Sequence, residues 1–325
     1  MRILDCTLRD GGYCNDWEWA PGFAQTIVSA LYPHVDIIEI GYRKPYEAGF
    51  LRCSDGMVDE YFQEYSDKIA VMIDLKDYIK DNMLVRYLFG NHFCKKNSQP
   101  ITYIRVACTI ETLDCAIEAT KILHEYGYKT TINIMKASLL KGWELSKINK
   151  MKDGLKHIEY LYFADSFGTM NYGILQEIYR DQYESHENLG LHPHNNKSLA
   201  FSLYKNTSFD IIDSSIGGLG RGAGNLDTIQ VLMDRDGKLD EKLYKCLKVI
   251  ERIKAKAQCG YCYEYHYCAK NDIHPNYAVH LKGLHRYGRY EIIRILGNID
   301  NNKRNSFDKV WFEELIYKWD NISYE

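Results

Sequence analysis

The chain has 325 residues, 46% hydrophobic and 26% charged, which is enough for one large domain or two ordinary ones with a sizeable core. A formal net charge of −3 gives no electrostatic reason to expect nucleic acid as a partner. No apolar stretch is long enough to cross a bilayer, and the first ten residues carry charges where a secretory signal needs an apolar run. We therefore expect a cytoplasmic protein with no membrane partner.

Short apolar runs recur along the chain at intervals of about 20 to 35 residues, the length of one strand plus one return helix. Strands are predicted at residues 2–6, 36–41, 69–74, 102–107, 129–135, 159–165, 188–194 and 209–216. Helices are predicted between them at residues 22–31, 113–126 and 172–183. The second of these helices spaces its apolar residues three and four apart and stops before Gly127.

Strands that alternate with helices predict a parallel sheet. Eight such units within residues 1–238 match the size of a closed (β/α)₈ TIM barrel. A doubly wound open sheet is the rival fold, but its dinucleotide-binding form needs a glycine-rich turn after the first strand. The segment Leu-Arg-Asp-Gly-Gly does not fit that turn. Residues 239–325 lose the pattern and are predicted to form a second unit, a mainly helical C-terminal extension over the barrel.

Polar side chains cluster at or near the ends of the predicted strands, where TIM barrels place their catalytic groups. These residues are Arg9, Asp10, Glu39, Asp74, Arg105, Asn133, Asp165, Ser166, His192 and His194. His192 and His194 are two apart on a strand, so their side chains point to the same face. With the carboxylate of Asp10 they would form a 2-His-1-carboxylate metal site with open positions. The alternative is a polar loop with two incidental histidines.

Arg9 and the glycine-rich run at residues 217–225 each allow two interpretations. Arg9 could stabilise an oxyanion beside a metal, or it could form an ordinary surface ion pair with Asp10. Two glycines follow Asp10 and permit close approach of a ligand, which favours the functional interpretation. The glycine run could bind an anion at the next helix N-terminus, or form a tight turn with no ligand.

Four segments, taken together, resemble the DRE-TIM metallolyase family. They are LDCTLRDGGY, ADSFGTM, GLHPHNN and IIDSSIGGLGRGAGN. This HMGL-like family includes 4-hydroxy-2-oxovalerate aldolases, hydroxymethylglutaryl-CoA lyases and isopropylmalate synthases. DSFGTM, GRGAGN and IRVACTIET make the aldolase branch the closest likeness. The resemblance implies a divalent-metal-dependent carbon–carbon lyase that acts on a keto acid and an aldehyde through a pyruvate-type enolate.

The resemblance also implies roles for individual residues. Asp10, His192 and His194, with Asn225 on or near the site, would bind the divalent metal, and Arg9 would stabilise the enolate. A His₂-Asp set suits Mn²⁺ or Mg²⁺, with Zn²⁺ or Co²⁺ as further candidates. Substrate binding or support of the metal ligands is expected from Glu39, Arg105, Asn133, Asp165, Ser166, Gly220 and Arg221.

The chain departs from its relatives at two positions of the predicted site. Tyr13 stands where the oxovalerate aldolases have a histidine as general base, and tyrosine is a poor base at neutral pH. Either Tyr13 is activated by the metal site, or another group is the base. The glycine run contains Arg221 and no cysteine, so it lacks the loop thiol of the hydroxymethylglutaryl-CoA lyases. This absence counts against a CoA thioester substrate of that kind.

The tail, residues 239–325, does not match the domain with which oxovalerate aldolases bind a dehydrogenase, so we do not assume that partner. The sequence leaves open whether the protein is a homo-oligomer. Cys259 and Cys262, with Cys268 and His266, could begin a zinc site. The missing second cysteine pair favours reduced, buried thiols.

Three rival functions stay open: a Claisen-type acyltransferase that uses an acyl-CoA, a mononuclear iron oxidoreductase, and a non-catalytic barrel.

Overall fold

Eight parallel strands close into a barrel in a computed structural model that describes residues 1–81, 83–93, 100–186, 188–238 and 240–322. In chain order the strands are β1 (Arg2–Asp5), β2 (Ile37–Tyr42), β3 (Ile69–Asp74), β4 (Tyr103–Cys108), β5 (Lys129–Ile134), β6 (Tyr160–Ala164), β7 (Leu189–His192) and β8 (Ile211–Ser214). Each strand pairs with the next, and β1 closes the ring against β8. The predicted (β/α)₈ fold class is confirmed.

Helices follow most strands and cover the outside of the barrel. They are α1 (Thr7–Asp10), α2 (Pro21–Leu31), α3 (Gly49–Arg52), α4 (Asp55–Phe62), α5 (Arg86–His92), α6 (Leu113–Glu125), α7 (Gly142–Lys150), α8 (Tyr172–Gln182), α9 (Ala200–Asn206) and α10 (Thr228–Asp236). A two-stranded antiparallel sheet, Ile79–Lys80 with Met83–Leu84, lies between β3 and α5. The three helices predicted from periodicity correspond to α2, α6 and α8.

Two different cores flank the barrel strands. Outward-facing residues pack against the helices in one large apolar cluster. The interior holds a separate, smaller cluster that includes Leu4, Ile37, Tyr103, Tyr162 and Ile211. Because apolar side chains fill this part of the interior, the charged residues of the site have space only near the carboxyl ends of the strands.

The tail is helical: α11 (Glu241–Lys256), α12 (Tyr263–Lys270), α13 (Asn276–Gly283), α14 (Arg289–Gly297) and α15 (Lys309–Ile322). Helix α11 packs into the apolar cluster of the barrel through Leu243, Cys246 and Ile250. The other helices form a second apolar cluster, which also buries Ala223 of the glycine run. The tail therefore contacts the loop that follows β8, while the division of the chain at residue 238 stays a prediction.

In the described part of the chain, we find no helix with both the length and the apolar character that crossing a membrane requires.

Candidate metal centre

Three buried side chains from two distant segments of the chain meet at the carboxyl end of the barrel. Asp10 closes the single-turn helix α1 directly after β1, while His192 ends β7 and His194 follows it. The backbone of His194 forms an isolated bridge with Asn225, which holds this segment against the loop after β8. One ligand atom from each of Asp10, His192 and His194 lies within 4.8 Å of the others. The structure thus brings the predicted trio together.

Both imidazoles are oriented through their Nδ1 atoms. His192 Nδ1 lies 2.9 Å from Asp213 Oδ2, and His194 Nδ1 lies 3.2 Å from the carbonyl oxygen of Gly224. A carboxylate and a carbonyl can only accept, so each Nδ1 carries the proton and donates it. Each Nε2 therefore keeps its lone pair, the usual arrangement of metal-binding histidines. This donor set fits a divalent cation.

A chain of buried charges begins at Asp10. Arg9 Nη1 donates to Asp10 Oδ1 at 2.5 Å, and Arg9 Nε donates to Glu39 Oε2 at 2.7 Å. Glu39 is fully buried, and its Oε2 atom also lies 3.0 Å from Arg105 Nη1. Because one carboxylate oxygen serves two guanidinium groups, Glu39 ties the two arginines together.

The same chain of charges ends at His192. Arg105 is buried over the ring of Tyr162, and its Nη2 atom donates to Asp213 Oδ2 at 2.6 Å. That oxygen also accepts the hydrogen bond from His192 Nδ1. Alternating charges therefore link two of the three candidate metal ligands. We call the five residues Arg9, Asp10, Glu39, Arg105 and Asp213 the buried charge network.

Electrostatics keep two of the three candidate ligands, Asp10 and His194, in the protonation states that coordinate a metal. Burial by itself would raise the pKa of Asp10, but the charge of Arg9 and the nearby histidines hold that pKa well below its usual range. Burial, together with neighbouring His192, lowers the pKa of His194 to about 3. The carboxylate is therefore ionised and the imidazole of His194 neutral near pH 7.

Asn225 holds Asp10 from the side of the glycine run. Its Nδ2 atom donates to Asp10 Oδ2 at 2.8 Å, while its buried Oδ1 atom has no partner among the described residues. Inside the run, Gly217 and Gly218 have positive φ, and their N–H groups donate to Asp227 Oδ1 and the carbonyl oxygen of Ser215. These amides are used within the fold, which favours a tight turn at this end of the run.

Gly220 lies so close to Asp10 that a side chain would displace it. A Cβ atom at this position would come 2.5 Å from Asp10 Oδ2 and 2.6 Å from Asn225 Nδ2. We expect Gly220→Ala to lower the metal affinity about 10- to 100-fold, as loss of an orienting partner does, measured by calorimetric titration with Mn²⁺. Gly56→Ala is the control, because a Cβ there meets nothing within 4 Å. Equal affinities in both variants would contradict this arrangement.

The candidate ligands open onto a cavity of about 140 Å³. Arg9, Asp10, His192 and His194 line it, as do the predicted site residues Tyr13, Asn133, Ser166 and Arg221. The Tyr13 side chain is 45% exposed, and its hydroxyl lies 3.0 Å from that of Tyr42, another lining residue. The lining combines apolar residues with a few convergent polar groups, as small-molecule sites do.

The remaining predicted site residues support the cavity from outside its lining. Glu39, Arg105, Gly220 and Asn225 contact Asp10 or its partners, as described above. Asp165 accepts hydrogen bonds from the backbone N–H groups of Thr169 and Met170, and burial raises its pKa to about 6. Asp165 therefore shapes the loop after β6, next to Ser166.

Three site residues that are charged or carry an imidazole are absent from the sequence-based predictions. Asp213 was inside the predicted strand at residues 209–216, where a single carboxylate in an apolar strand is a usable signal. Lys136 follows β5 in a left-handed conformation with φ 59°, and His274 lies between α12 and α13. Both line the cavity. Neither belongs to a motif that marks it for this site.

Among the described residues, the cysteines considered for a zinc site do not form a metal-binding group. Cys259 Sγ donates to the carbonyl oxygen of Gly220 at 3.0 Å, as Cys14 Sγ does at 3.3 Å. Cys262 lies 3.3 Å from Lys282 Nζ, and Cys268 is buried in the second apolar cluster. The described cysteines are all free thiols, and Cys94 lies outside the described residues.

Comparison of the sequence finds several 4-hydroxy-2-oxovalerate aldolases. The one from Bacillus cereus strain 03BB102 is 31% identical over 268 residues, which cover 78% of this chain and 76% of the relative. The one from Geobacillus genomosp. 3 is 27% identical over 237 residues, which cover 70% of this chain and 68% of the relative. No family model matches the chain.

Solved structures with the same fold cover most of the chain. The N-terminal domain of a protein from Bacteroides vulgatus, provisionally named an aldolase, has a TM-score of 0.72 and 26% identity and covers 90% of this chain and 99% of its own. The HMG-CoA lyase of Bacillus subtilis has a TM-score of 0.59 and 16% identity, and the match covers 80% of this chain and 94% of the lyase. At this identity the likeness shows the fold alone. By its sequence relatives, its barrel and its grouped Asp and His residues, the chain belongs to the 4-hydroxy-2-oxovalerate aldolase family, within the DRE-TIM metal-dependent aldolases and lyases.

Proposed function

We propose that this protein is a divalent-metal-dependent aldolase that cleaves or forms the C3–C4 bond of a 4-hydroxy-2-oxoacid through a pyruvate-type enolate. The observation that carries the proposal is the group of Asp10, His192 and His194, whose ligand atoms lie within 4.8 Å of one another. Relatives named 4-hydroxy-2-oxovalerate aldolase support the type of reaction.

Asp10, His192 and His194 would hold the cation, with Asn225 beside them. Mn²⁺ and Mg²⁺ suit this donor set, and Zn²⁺ and Co²⁺ are further candidates. When bound, the cation supplies a Lewis acid that polarises the 2-oxo group of the keto acid. Asp213 and the carbonyl oxygen of Gly224 fix the orientation of the two imidazoles.

Arg9 would stabilise the negative charge that develops on the enolate oxygen. Its Nε and Nη1 atoms are bound to Glu39 and Asp10, and its Nη2 atom has no hydrogen-bond partner in the described part of the chain. Since Arg9 lines the cavity, Nη2 is available to donate to a substrate oxygen. A fixed guanidinium in a mostly buried site is preorganised for this charge.

Cleavage would move the electron pair of the C3–C4 bond to the enolate and remove one proton from the C4 hydroxyl. The C3–C4 bond breaks, its electron pair passes to the enolate, and the C4 hydroxyl loses its proton as C4 becomes the aldehyde. The enolate then takes a proton at C3 and leaves as pyruvate. Tyr13 is our proposed relay for the hydroxyl proton, because its own hydroxyl lies at the cavity and is hydrogen-bonded to Tyr42. It would accept the C4 hydroxyl proton while releasing its own to solvent, which reaches this exposed side chain, and solvent would supply the proton taken up at C3.

The decisive test is exchange of the pyruvate methyl protons in D₂O, followed by NMR. We expect exchange when the protein is loaded with Mn²⁺ or Mg²⁺, with the paramagnetic ion chelated before the spectrum is read. Chelator-treated protein should show only the uncatalysed rate, because enolate formation depends on the bound cation. Exchange that survives metal removal would contradict the proposal. So would acetyl-CoA consumption without pyruvate turnover, which would instead favour an acyltransferase.

A further inference from the structure

Two half-buried cations line the cavity without an acidic partner. Lys136, after β5, and Arg221, in the glycine run, both belong to the cavity lining. Among the residues that the structure describes, neither forms an ion pair with a carboxylate. A partly buried charge without a counter-ion is unfavourable, so these two positions suggest a ligand of opposite charge.

The other charged groups of the lining already have partners. Arg9 is paired with Glu39 and Asp10, and Asp74 Oδ2 lies 2.7 Å from Lys76 Nζ. Lys136 and Arg221 therefore add positive charge that the cavity itself does not neutralise. The negative charge of Asp10 is committed to Arg9 and to the proposed cation.

Ser166 forms hydrogen bonds with both Lys136 and Arg221. The backbone N–H of Lys136 donates to Ser166 Oγ at 3.0 Å, and Arg221 Nη2 donates to the carbonyl oxygen of Ser166 at 2.8 Å. Lys136 itself adopts the left-handed conformation, with φ 59°. The loops after β5, β6 and β8 thus converge on Ser166, and Lys136, Ser166 and Arg221 all line the cavity.

His274 from the tail adds a neutral donor to this group. Its Nδ1 atom accepts a hydrogen bond from the backbone N–H of Asn276 at 3.2 Å, so Nε2 carries the proton. No described residue accepts a hydrogen bond from Nε2. Burial, together with the charges of Arg221 and Lys136, lowers the pKa of His274 to about 2, and all three residues line the same cavity.

We propose that Lys136, Arg221 and His274 bind an anionic group on the aldehyde, so that the second substrate is an aldehyde bearing a carboxylate or a phosphate. This inference rests on the proposed aldolase function and names the substrate class of the same site. The keto acid has a single carboxylate, and Arg9 and the proposed cation already provide positive charge for it. The additional cations match a second anionic group.

The test compares aldehydes in charged and neutral pairs, with pyruvate and the Mn²⁺-loaded protein. Succinic semialdehyde is paired with butanal, and glyceraldehyde 3-phosphate with glyceraldehyde, which separates a carboxylate from a phosphate. We expect one charged aldehyde to exceed its neutral partner in kcat/KM by about 10- to 100-fold. Arg221→Gln and Lys136→Gln should each remove most of that preference, while Arg221→Lys should retain it because the charge remains.

Three results would overturn the inference. One is a wild-type protein that exchanges pyruvate protons but prefers neither charged aldehyde, an outcome that leaves the proposed aldolase chemistry intact. Another is a loss of kcat/KM in the glutamine variants that is equal for charged and neutral aldehydes. The two cations would then bind pyruvate or only support the fold. The last is a preference that survives both substitutions. Absence of both exchange and aldol reaction would refute the proposed function itself.

Binding without turnover gives an independent measurement. Calorimetric titration of the metal-free protein with succinate and with inorganic phosphate should show weaker binding of the favoured anion in Arg221→Gln than in the wild type. Lys156→Gln is the control, since Lys156 pairs with Asp153 on the surface and does not line the cavity with the metal group. Equal binding in all three proteins would overturn the assignment of these residues.

Discussion

Replacing Asp10 by asparagine should eliminate metal-dependent exchange of pyruvate protons and lower the affinity for Mn²⁺ by more than about 100-fold. Loss of a residue that only orients a metal ligand lowers the affinity by about 10- to 100-fold, and loss of a ligand should lower it further. Asparagine keeps the shape of aspartate, so Asn225 retains a neighbour of the same size. The substitution removes the negative charge that Arg9 and the two histidines surround. Calorimetric titration measures the affinity, and NMR in D₂O measures the exchange.

A matched carboxylate outside the barrel provides the control for that experiment. Asp234 on α10 also pairs with a cation, at 2.8 Å from Lys205 Nζ, but it lies on the outer surface. Asp234→Asn should bind Mn²⁺ and exchange pyruvate protons at the wild-type level. If Asp10→Asn behaved like this control, the metal would bind elsewhere, and the group formed with His192 and His194 would not be the active site.

Replacing Glu39 by glutamine should destabilise the metal-free protein by about 3 to 5 kcal/mol, the range for breaking a buried ion pair by removing one partner. Glu39 is fully buried, and one of its oxygens lies 2.7 Å from Arg9 Nε and 3.0 Å from Arg105 Nη1. Without its charge, two buried guanidinium groups lose the anion between them. Urea unfolding followed by circular dichroism measures the free energy of unfolding.

An exposed ion pair provides the comparison for the Glu39 variant. Glu118 pairs with Arg86 on the surface, so Glu118→Gln should change the free energy of unfolding by no more than about 1 kcal/mol. A Glu39→Gln protein as stable as this control would show that the buried charge network does not depend on Glu39. The proposed link between the candidate metal ligands Asp10 and His192 would then need another explanation.

The sequence by itself predicted the barrel and the three candidate ligands, because these features are local or periodic. A strand of a (β/α)₈ barrel is a short apolar run, and its return helix is an amphipathic segment, so both appear as repeats along the chain. His192 and His194 are two residues apart on one strand, which puts both on one face before any packing is known. Their pairing with Asp10 follows because closure brings the first and the seventh strand near each other.

Only the tertiary structure decided what surrounds those ligands. The buried charge network joins α1, β2, β4 and β8, and Asp213 connects it to His192 on β7. A network of this kind depends on which side chains reach the same depth of the barrel. No spacing in the sequence encodes that depth. Asp213 therefore became visible as the partner of His192 only in the folded chain.

The same limit applies to the proposed anion-binding group. Lys136, Arg221 and His274 come from three segments, the last of them more than fifty residues beyond the second, and none follows a periodic pattern. Hydrogen bonds to Ser166 bring the backbone of Lys136 and the side chain of Arg221 together, and the packing of the tail helices brings His274 to the cavity. Periodicity determines secondary structure and the face of a strand. Contacts between distant segments depend on packing, and that packing determines how this site is charged.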